Sequence, residues 1–271
     1  QPGKVDAWLV GSGVSDKKYS DYTTWLRHRW FQLMKAQNVP TVLDAGALNW
    51  AGKLSQPTLI TPHAGELSKL LMKRGIAVSS EAIEADPKKW AMLSAQKLGV
   101  TVLLKGSITY VANDELMIEL PKATPWLATA GSGDVLAGII GALVATNYIE
   151  ILNDENNLAR VAATGVIIHN NAALLASMGS PISATSIIEF IPEAMFVVNN
   201  EDGSQTLKVK SPNSSASTNK SAFNKSMKNI KIVESAGRRS FKIVSKAAVN
   251  AAPQDQNAQN VSLTPAQQEI V

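Results

Sequence analysis

The chain has 271 residues, of which 45% are hydrophobic, enough for one large domain with a substantial core. It contains no cysteine, which excludes disulfides, thiol catalysis and cysteine-ligated metals. The longest apolar run, residues 135–145, is shorter than the ~20 residues that cross a bilayer, and no signal-peptide pattern opens the chain. We therefore expect a cytoplasmic protein without a membrane span.

The formal net charge of +4 is unevenly distributed. Residues 201–271 carry ten Lys and Arg against five Asp and Glu, so they hold +5 and residues 1–200 hold −1. This basic segment is rich in Ser, Asn, Gln and Lys, and such a composition buries too little apolar surface to offset the entropy of ordering. We predict a folded domain over 1–199 and a low-complexity basic extension over 200–271. We expect that extension to be solvated, not bound to nucleic acid.

Strand-like and helix-like segments alternate along the first 199 residues. Four short, β-branched segments are apolar on both faces, as in central strands of a covered sheet, at 7–11, 41–45, 58–62 and 101–106. Two further segments, 108–112 and 116–120, flank Asn113-Asp114 and predict an antiparallel hairpin.

Helical patterns lie between these strands. In 21–37, Tyr22, Leu26, Trp30 and Leu33 form an apolar stripe that Asn38 and Pro40 end. The segment 87–98 has Asp86 as N-cap, Pro87 at its first position and Gly99 beyond its end, and 156–178 is a further helix. The alternation predicts an α/β fold, a mostly parallel sheet with helices on both faces.

Five loops rich in small and polar residues are predicted at one edge of that sheet. In α/β sheets, ligands bind beyond the carboxyl ends of the strands. The loops are GSGVS (11–15), DAGALN (44–49), TPHAGE (61–66), KGSIT (105–109) and GSGD (131–134). Each loop alone is weak evidence, since a GxG is often only a tight turn. Their joint occurrence favours a functional site.

The GSGD segment precedes a helix whose buried face is Leu136, Ile139, Ile140, Leu143 and Val144. We therefore place Gly131 to Gly133 in the loop at the helix N-terminus, where unpaired amides and the helix dipole attract anions. Asp134 puts a carboxylate beside this anion site. The simplest reading of an Asp there is a helix-start residue.

Several other nucleotide and metal motifs are excluded. GSGDVL lacks the third glycine of the dinucleotide fingerprint, and no GxxxxGK[ST] occurs in the chain. His28, His63 and His169 do not have the spacing of metal ligands.

The segments LITPHAGELSKLL, TVLLKGSITYVA and LATAGSGDVLAGIIGALVA closely resemble the ADP-dependent NAD(P)H-hydrate dehydratases of the ribokinase-like superfamily. The resemblance covers roughly residues 5 to 195. It implies a ribokinase-like three-layer sandwich and a lyase that repairs the S-form of hydrated NADH or NADPH at the expense of ADP. It also implies a companion NAD(P)H-hydrate epimerase and a homo-oligomer, with no membrane or nucleic-acid partner.

The resemblance also implies roles for individual residues. Asp134 would be the catalytic base, and Gly13, His63 and Asp134 would contact the hydrated nucleotide. The ADP site would be formed by Lys105, Gly106, Ser107, Ile108, Thr109 and Gly133. Mg²⁺ is expected with ADP, bound through phosphate and water without dedicated protein ligands.

The chain departs from the family pattern at several places, among them its start, the loop after the second strand, the loop after the first strand and the segment NNAALLASMG after His169. The pattern begins with a further strand–helix region ahead of GSGVS, so we expect the N-terminal part of the domain to be lacking and the activity to depend on it. Gly46 stands where the family usually has Asp, and GSGVS replaces a more usual GPGLG. Two alternatives stay open: a ribokinase-like kinase of a vitamin precursor or sugar, and a catalytically inactive nucleotide-binding or scaffold protein.

Overall fold

A computed structural model describes residues 5–12, 14, 22–199 and 231–234, with side chains described outside 22–28, 196–199 and 231–234. One sheet holds seven strands in chain order, and its first four strands are parallel. The fifth to seventh strands are antiparallel to their neighbours, which confirms the predicted hairpin. The strands are β1 (Trp8–Val10), β2 (Thr41–Leu43), β3 (Thr58–Ile60), β4 (Thr101–Leu104), β5 (Tyr110–Ala112), β6 (Leu116–Glu119) and β7 (Lys231–Glu234).

The described residues also form nine α-helices and two 3₁₀ turns. The helices are α1 (Tyr22–Gln37), α2 (Ala64–Met72), α3 (Ser80–Ala85), α4 (Pro87–Leu98), α5 (Ser132–Thr146), α6 (Tyr148–Asn153), α7 (Asn156–Ser177), α8 (Ala184–Glu189) and α9 (Ile191–Asn199). The 3₁₀ turns are Ala45–Trp50 and Pro125–Leu127.

Alternate strand residues face opposite sides of the sheet, as the two-residue period of a strand requires. Leu43, Ile60 and Val102 pack in one core with helices α1 to α4. Val42, Leu59 and Leu103 pack in a second core with α5, α6 and α7. Because β1 to β4 follow one another in a single direction, their crossover helices lie on one face, and the later helices cover the other. The predicted three-layer α/β architecture is confirmed.

Helix α4 begins and ends where the sequence predicts. The Asp86 carboxylate accepts a hydrogen bond from the Lys89 amide at 3.2 Å, and Pro87 is the first helical residue. Gly99 closes the helix with φ of 62°, a left-handed conformation that glycine adopts without steric cost.

The apolar stripe predicted for α1 is wrong at Trp30. This side chain is 52% exposed and lies edge-on against Trp8, with ring centroids 6.0 Å apart. The helix instead buries Met34, which is 1% exposed, and packs Phe31 against Trp50. The face that meets the core is thus rotated by about one residue, because a helix with aromatic side chains on more than one side does not reveal which side is buried.

Helix α7 is long and apolar enough to cross a membrane by length and composition alone. More than half of its apolar stretch is buried inside the fold, where it packs against α5 and the sheet. It is therefore a core helix of this domain.

Of the extension predicted at 200–271, only Lys231–Glu234 is described, and the rest lies outside the described residues. These four residues form β7, paired with Leu116–Glu119 at the edge of the sheet. This strand is not among the strands predicted from the sequence. The domain boundary near residue 199 stays a prediction.

Candidate active site

The ends of the four parallel strands are tied together by main-chain hydrogen bonds. The Asp44 amide donates to the Val10 carbonyl at 2.9 Å, and the Thr61 amide donates to the Leu43 carbonyl at 3.1 Å. The Lys105 amide donates to the Pro62 carbonyl at 2.8 Å. The loops after β1, β2, β3 and β4 therefore lie side by side at the carboxyl edge, as predicted.

Helix α5 begins at Ser132, two residues earlier than we predicted. Gly131 is its N-cap, with φ of 83°, and Ser132 and Gly133 belong to the first helical turn instead of the preceding loop. The Ser132 hydroxyl turns back to donate to the Leu127 carbonyl at 2.8 Å. Among the described residues, no side chain caps this helix. The Ser132 amide donates to the Thr129 carbonyl at 3.3 Å, so the Gly133 and Asp134 amides are the ones available to an anion.

Asp134 is the third residue of α5 and is exposed. Its carboxylate accepts a hydrogen bond from the hydroxyl of Ser12, in the loop after β1. This contact joins the GSGVS and GSGD loops, which are 122 positions apart in sequence. Gly13, predicted to contact the substrate, lies outside the described residues.

Lys105 lies at the end of β4, where its ammonium group meets two carboxylates. Its Nζ is 3.0 Å from Oδ1 of Asp44 and 3.8 Å from Oε2 of Glu66. The same Nζ lies 3.7 Å from the position that a Cβ on Gly133 would occupy. Lys105 is therefore next to the first turn of α5, and the structure brings together these two predicted parts of the nucleotide site.

His63 caps helix α2. Its Nδ1 accepts a hydrogen bond from the Gly65 amide at 3.1 Å, and Glu66 accepts one from the His63 amide at 2.9 Å. This reciprocal pair is a capping box, in which the histidine takes the place of the usual Ser or Thr. The imidazole is 59% exposed and lies beside β4, since His63 forms a parallel bridge with Lys105.

The remaining KGSIT residues divide between surface and interior. Gly106 and Ser107 are exposed at the rim, whereas Ile108 packs against the core and Thr109 is buried. The Thr109 carbonyl accepts a hydrogen bond from the Leu120 amide at 3.0 Å, which fixes the start of the hairpin. Of these five residues, Lys105 lies beside the first turn of α5. The contacts of all five with the nucleotide stay predictions.

Three residues near this edge were not predicted as site residues. Asp44 and Glu66 occur in the DAGALN and TPHAGE loops, and their position directly after strands was the signal that could have found them. His169 of α7 is buried, with its Nε2 lacking a hydrogen-bond partner, and it contacts the main chain of Ser132. Burial lowers the pKa of His169 to about 4, although the hydrogen bond to Ser132 opposes the shift.

The family model of the NAD(P)H-hydrate dehydratases matches residues 1–193. The chain belongs to this family. The chain is 37% identical over 153 residues to a bifunctional NAD(P)H-hydrate repair enzyme of Mycobacterium tuberculosis, an alignment that spans 53% of the chain and 29% of the relative. It is 30% identical over 206 residues to the ADP-dependent (S)-NAD(P)H-hydrate dehydratase of Neisseria meningitidis serogroup B, covering 72% of the chain and 64% of that protein. The chain thus spans less than two thirds of the length of these dehydratase relatives.

Solved structures show the same fold. The ADP/ATP-dependent NAD(P)H-hydrate dehydratase of Bacillus subtilis, co-crystallized with ATP and Mg²⁺, aligns with a TM-score of 0.56 and 22% identity over 72% of the chain and 66% of that structure. A ribokinase-like superfamily protein of Enterococcus faecalis aligns with a TM-score of 0.53 and 23% identity, over 70% of the chain and 63% of that structure. This member of the family therefore has the predicted ribokinase-like fold.

Proposed function

We propose that this chain dehydrates the S-form of hydrated NADH or NADPH and consumes ADP in doing so. Family membership supports the reaction class. The observation that carries the proposal is the meeting of an acid, a hydroxyl and a cation at one uncapped helix start: Asp134, Ser12 and Lys105 around the first turn of α5.

The chemistry requires a better leaving group than hydroxide. Transfer of the terminal phosphoryl group of ADP to the hydroxyl of the hydrate would supply one: the hydroxyl oxygen bonds to phosphorus, the bond to AMP breaks, and Asp134 accepts the hydroxyl proton. Loss of phosphate and of a proton from the adjacent ring carbon then restores the double bond. The products are NAD(P)H, AMP and phosphate, so atoms and charge balance.

The first turn of α5 suits the charge that develops during this transfer. Amides at a helix start point along the axis, and the positive end of the dipole favours the phosphoryl oxygens. Lys105 adds a cation 3.7 Å from the Gly133 Cβ position. We assign the nucleotide to Lys105, Gly106, Ser107, Ile108, Thr109 and Gly133, and the nicotinamide substrate to Gly13, His63 and Asp134.

Mg²⁺ fits this site only through the nucleotide. Among the described residues, no group of three His, Asp or Glu side chains is placed to hold a metal ion. Asp44 is engaged with Lys105 and Thr61, and Glu66 with the His63 amide. Bound to phosphate oxygens and water, Mg²⁺ would neutralise phosphate charge.

We further propose a cytoplasmic homo-oligomer that works with a NAD(P)H-hydrate epimerase.

The test supplies the chain with hydrated NADH and ADP and measures recovery of NADH absorbance together with AMP and phosphate. Parallel reactions offer hydroxymethylpyrimidine or ribose with ATP. Consumption of the hydrate supports the proposal. Phosphorylation of either small molecule without hydrate turnover would make the chain a kinase, and absence of ADP binding would make it neither enzyme.

The nucleotide site is tested separately by Lys105→Ala. Loss of a charge-assisted contact should weaken ADP binding by ~1.5–3 kcal/mol, measured by titration calorimetry. Lys97→Ala, an exposed lysine in the last turn of α4, is the matched control and should leave ADP affinity unchanged. Equal affinities of the Lys105 variant and the parent chain would remove KGSIT from the nucleotide site.

A further inference from the structure

Asp44 connects three of the strand-end loops. Its amide bonds to Val10 of β1, and its Oδ1 accepts hydrogen bonds from Thr61 Oγ1 at 2.7 Å and from Lys105 Nζ at 3.0 Å. The residue is only 5% exposed. A Cβ added to Gly11 would lie 2.9 Å from the Asp44 Cβ, so the loop after β1 packs directly on this side chain.

A carboxylate at this depth is costly unless it is paired and hydrogen-bonded. Asp44 satisfies this requirement through Thr61 and Lys105. The carboxylate is also held in one orientation, because the hydroxyl of Thr61, buried at the end of β3, donates a hydrogen bond to it. The position of Asp44 is therefore set by the sheet before any ligand arrives.

The Asp44 carboxylate restricts the position of the Lys105 ammonium group. A lysine ammonium sits on a flexible four-carbon stem, and fixing it on binding costs rotamer entropy. The Asp44 carboxylate holds Nζ 3.7 Å from the Gly133 Cβ position, on the side of the first turn of α5. The lysine is thus held where a phosphate on the α5 amides would meet it.

We propose that Asp44 is a positioning residue of the nucleotide site: its carboxylate, oriented by Thr61, holds the Lys105 ammonium against the first turn of α5 so that the phosphate of ADP meets an already ordered cation. The inference rests on the proposed function, since it assumes that Lys105 contacts ADP. Two other roles of Asp44 predict different results. If its charge only repels the phosphate, Asp44→Asn should lower the Kd for ADP. If the ion pair is only structural, Asp44→Asn should change stability and leave Kd unchanged.

The experiment is a double-mutant cycle on ADP affinity, with titration calorimetry on the chain and on Asp44→Asn, Lys105→Ala and the double variant. Asn keeps the size of Asp44 and a hydrogen bond with Thr61 but removes the charge that holds the lysine. With Lys105 present, Asp44→Asn should raise the Kd for ADP by about threefold to tenfold, the cost of one unanchored flexible side chain. With Lys105→Ala, the same change should leave Kd equal or lower it, since only repulsion is removed.

Each result decides between the readings. If Asp44→Asn leaves Kd unchanged or lowers it while Lys105 is present, the positioning role is wrong. If Lys105→Ala itself does not change Kd, the proposed nucleotide site fails and this inference fails with it, so the two failures are distinguishable. Asp114→Asn is the matched control, because this exposed carboxylate lies in the turn between β5 and β6, toward the opposite end of β4 from Lys105, and should not change Kd.

Thermal unfolding in the absence of ADP checks the fold of each variant. If Asp44→Asn does not fold, Thr61→Val takes its place, because it removes the hydroxyl that orients the carboxylate and keeps the shape of the side chain. Thr61→Val should also raise the Kd for ADP, by a smaller factor than Asp44→Asn. An unchanged Kd in this variant overturns the proposal.

Discussion

Two helices start at the carboxyl edge of the sheet, and their first turns are used differently. Both α2 and α5 carry an acid as their third residue, Glu66 and Asp134. In α2, His63 and Glu66 close a capping box within the helix start. In α5, Gly131 offers no side chain, and Asp134 is held by Ser12 from the loop after β1. The same local feature is a cap in one helix and part of a candidate catalytic site in the other.

The largest expected effect follows from removing the charge of Asp134. Asp134→Asn keeps the size of the side chain and its ability to begin a helix, but it removes the base, so turnover of hydrated NADH should fall ~10²–10⁴-fold. ADP affinity should stay equal or rise slightly, because a negative charge beside the phosphate is lost. The measurements are steady-state turnover and titration calorimetry.

Glu84→Gln on α3, an exposed acid outside the site, is the control and should behave as the parent chain. Near-normal turnover of Asp134→Asn would make Asp134 a helix-start residue like Glu66 and erase the difference between the two helices.

The second prediction concerns the support beneath α5. Burial holds the pKa of His169 at about 4, below its ordinary value of 6.5, so the unfolded chain binds a proton first as pH falls. Above pH 6.5 this group should leave the free energy of unfolding unchanged. As pH falls from 6.5 to 4, its protonation in the unfolded chain should lower that free energy by about 3 kcal/mol. Denaturant unfolding at several pH values measures the loss.

His169→Gln should remove that part of the pH dependence, whereas His63→Asn, at the exposed histidine of α2, should retain it. Equal slopes for His169→Gln and the parent chain would show that the imidazole under α5 does not remain neutral.

The third prediction separates capping from substrate binding at His63. His63→Ala should lower the free energy of unfolding by ~1 kcal/mol, because the Gly65 amide loses its acceptor. His63→Asn should restore most of that stability, since Asn is a favoured N-cap. If the imidazole also contacts the substrate, the Asn variant should still show a raised KM for the hydrate. A normal KM in His63→Asn would leave His63 as a cap alone.

The smallest effect is expected far from both helix starts. Deleting residues 205–271 removes the four-residue strand β7. Each of its hydrogen bonds contributes ~0.5–1.5 kcal/mol, and ordering each of its residues costs a similar free energy. The thermal unfolding midpoint and the ADP affinity should therefore change little. A large drop in the midpoint would show that the extension packs on the domain and that the boundary near residue 199 is wrong.

The sequence by itself determined the features that depend on neighbouring residues. The strands, the hairpin at Asn113, and the ends of α4 at Asp86 and Gly99 follow from period, turn chemistry and capping, which act over a few residues. The resemblance of the GSGD and KGSIT segments then indicated the family. The match of residues 1–193 to the model of that family confirms it.

The tertiary structure decided every contact between distant loops. Ser12 meets Asp134 across 122 positions, and Lys105 meets Asp44 across 61, because the parallel register aligns the strand ends and the crossover helices fold each loop back to the same edge. It also decided that α1 buries Met34 and exposes Trp30. Local propensity carries no information about which side chains face each other across a sheet edge, since that depends on register and on the packing of whole layers.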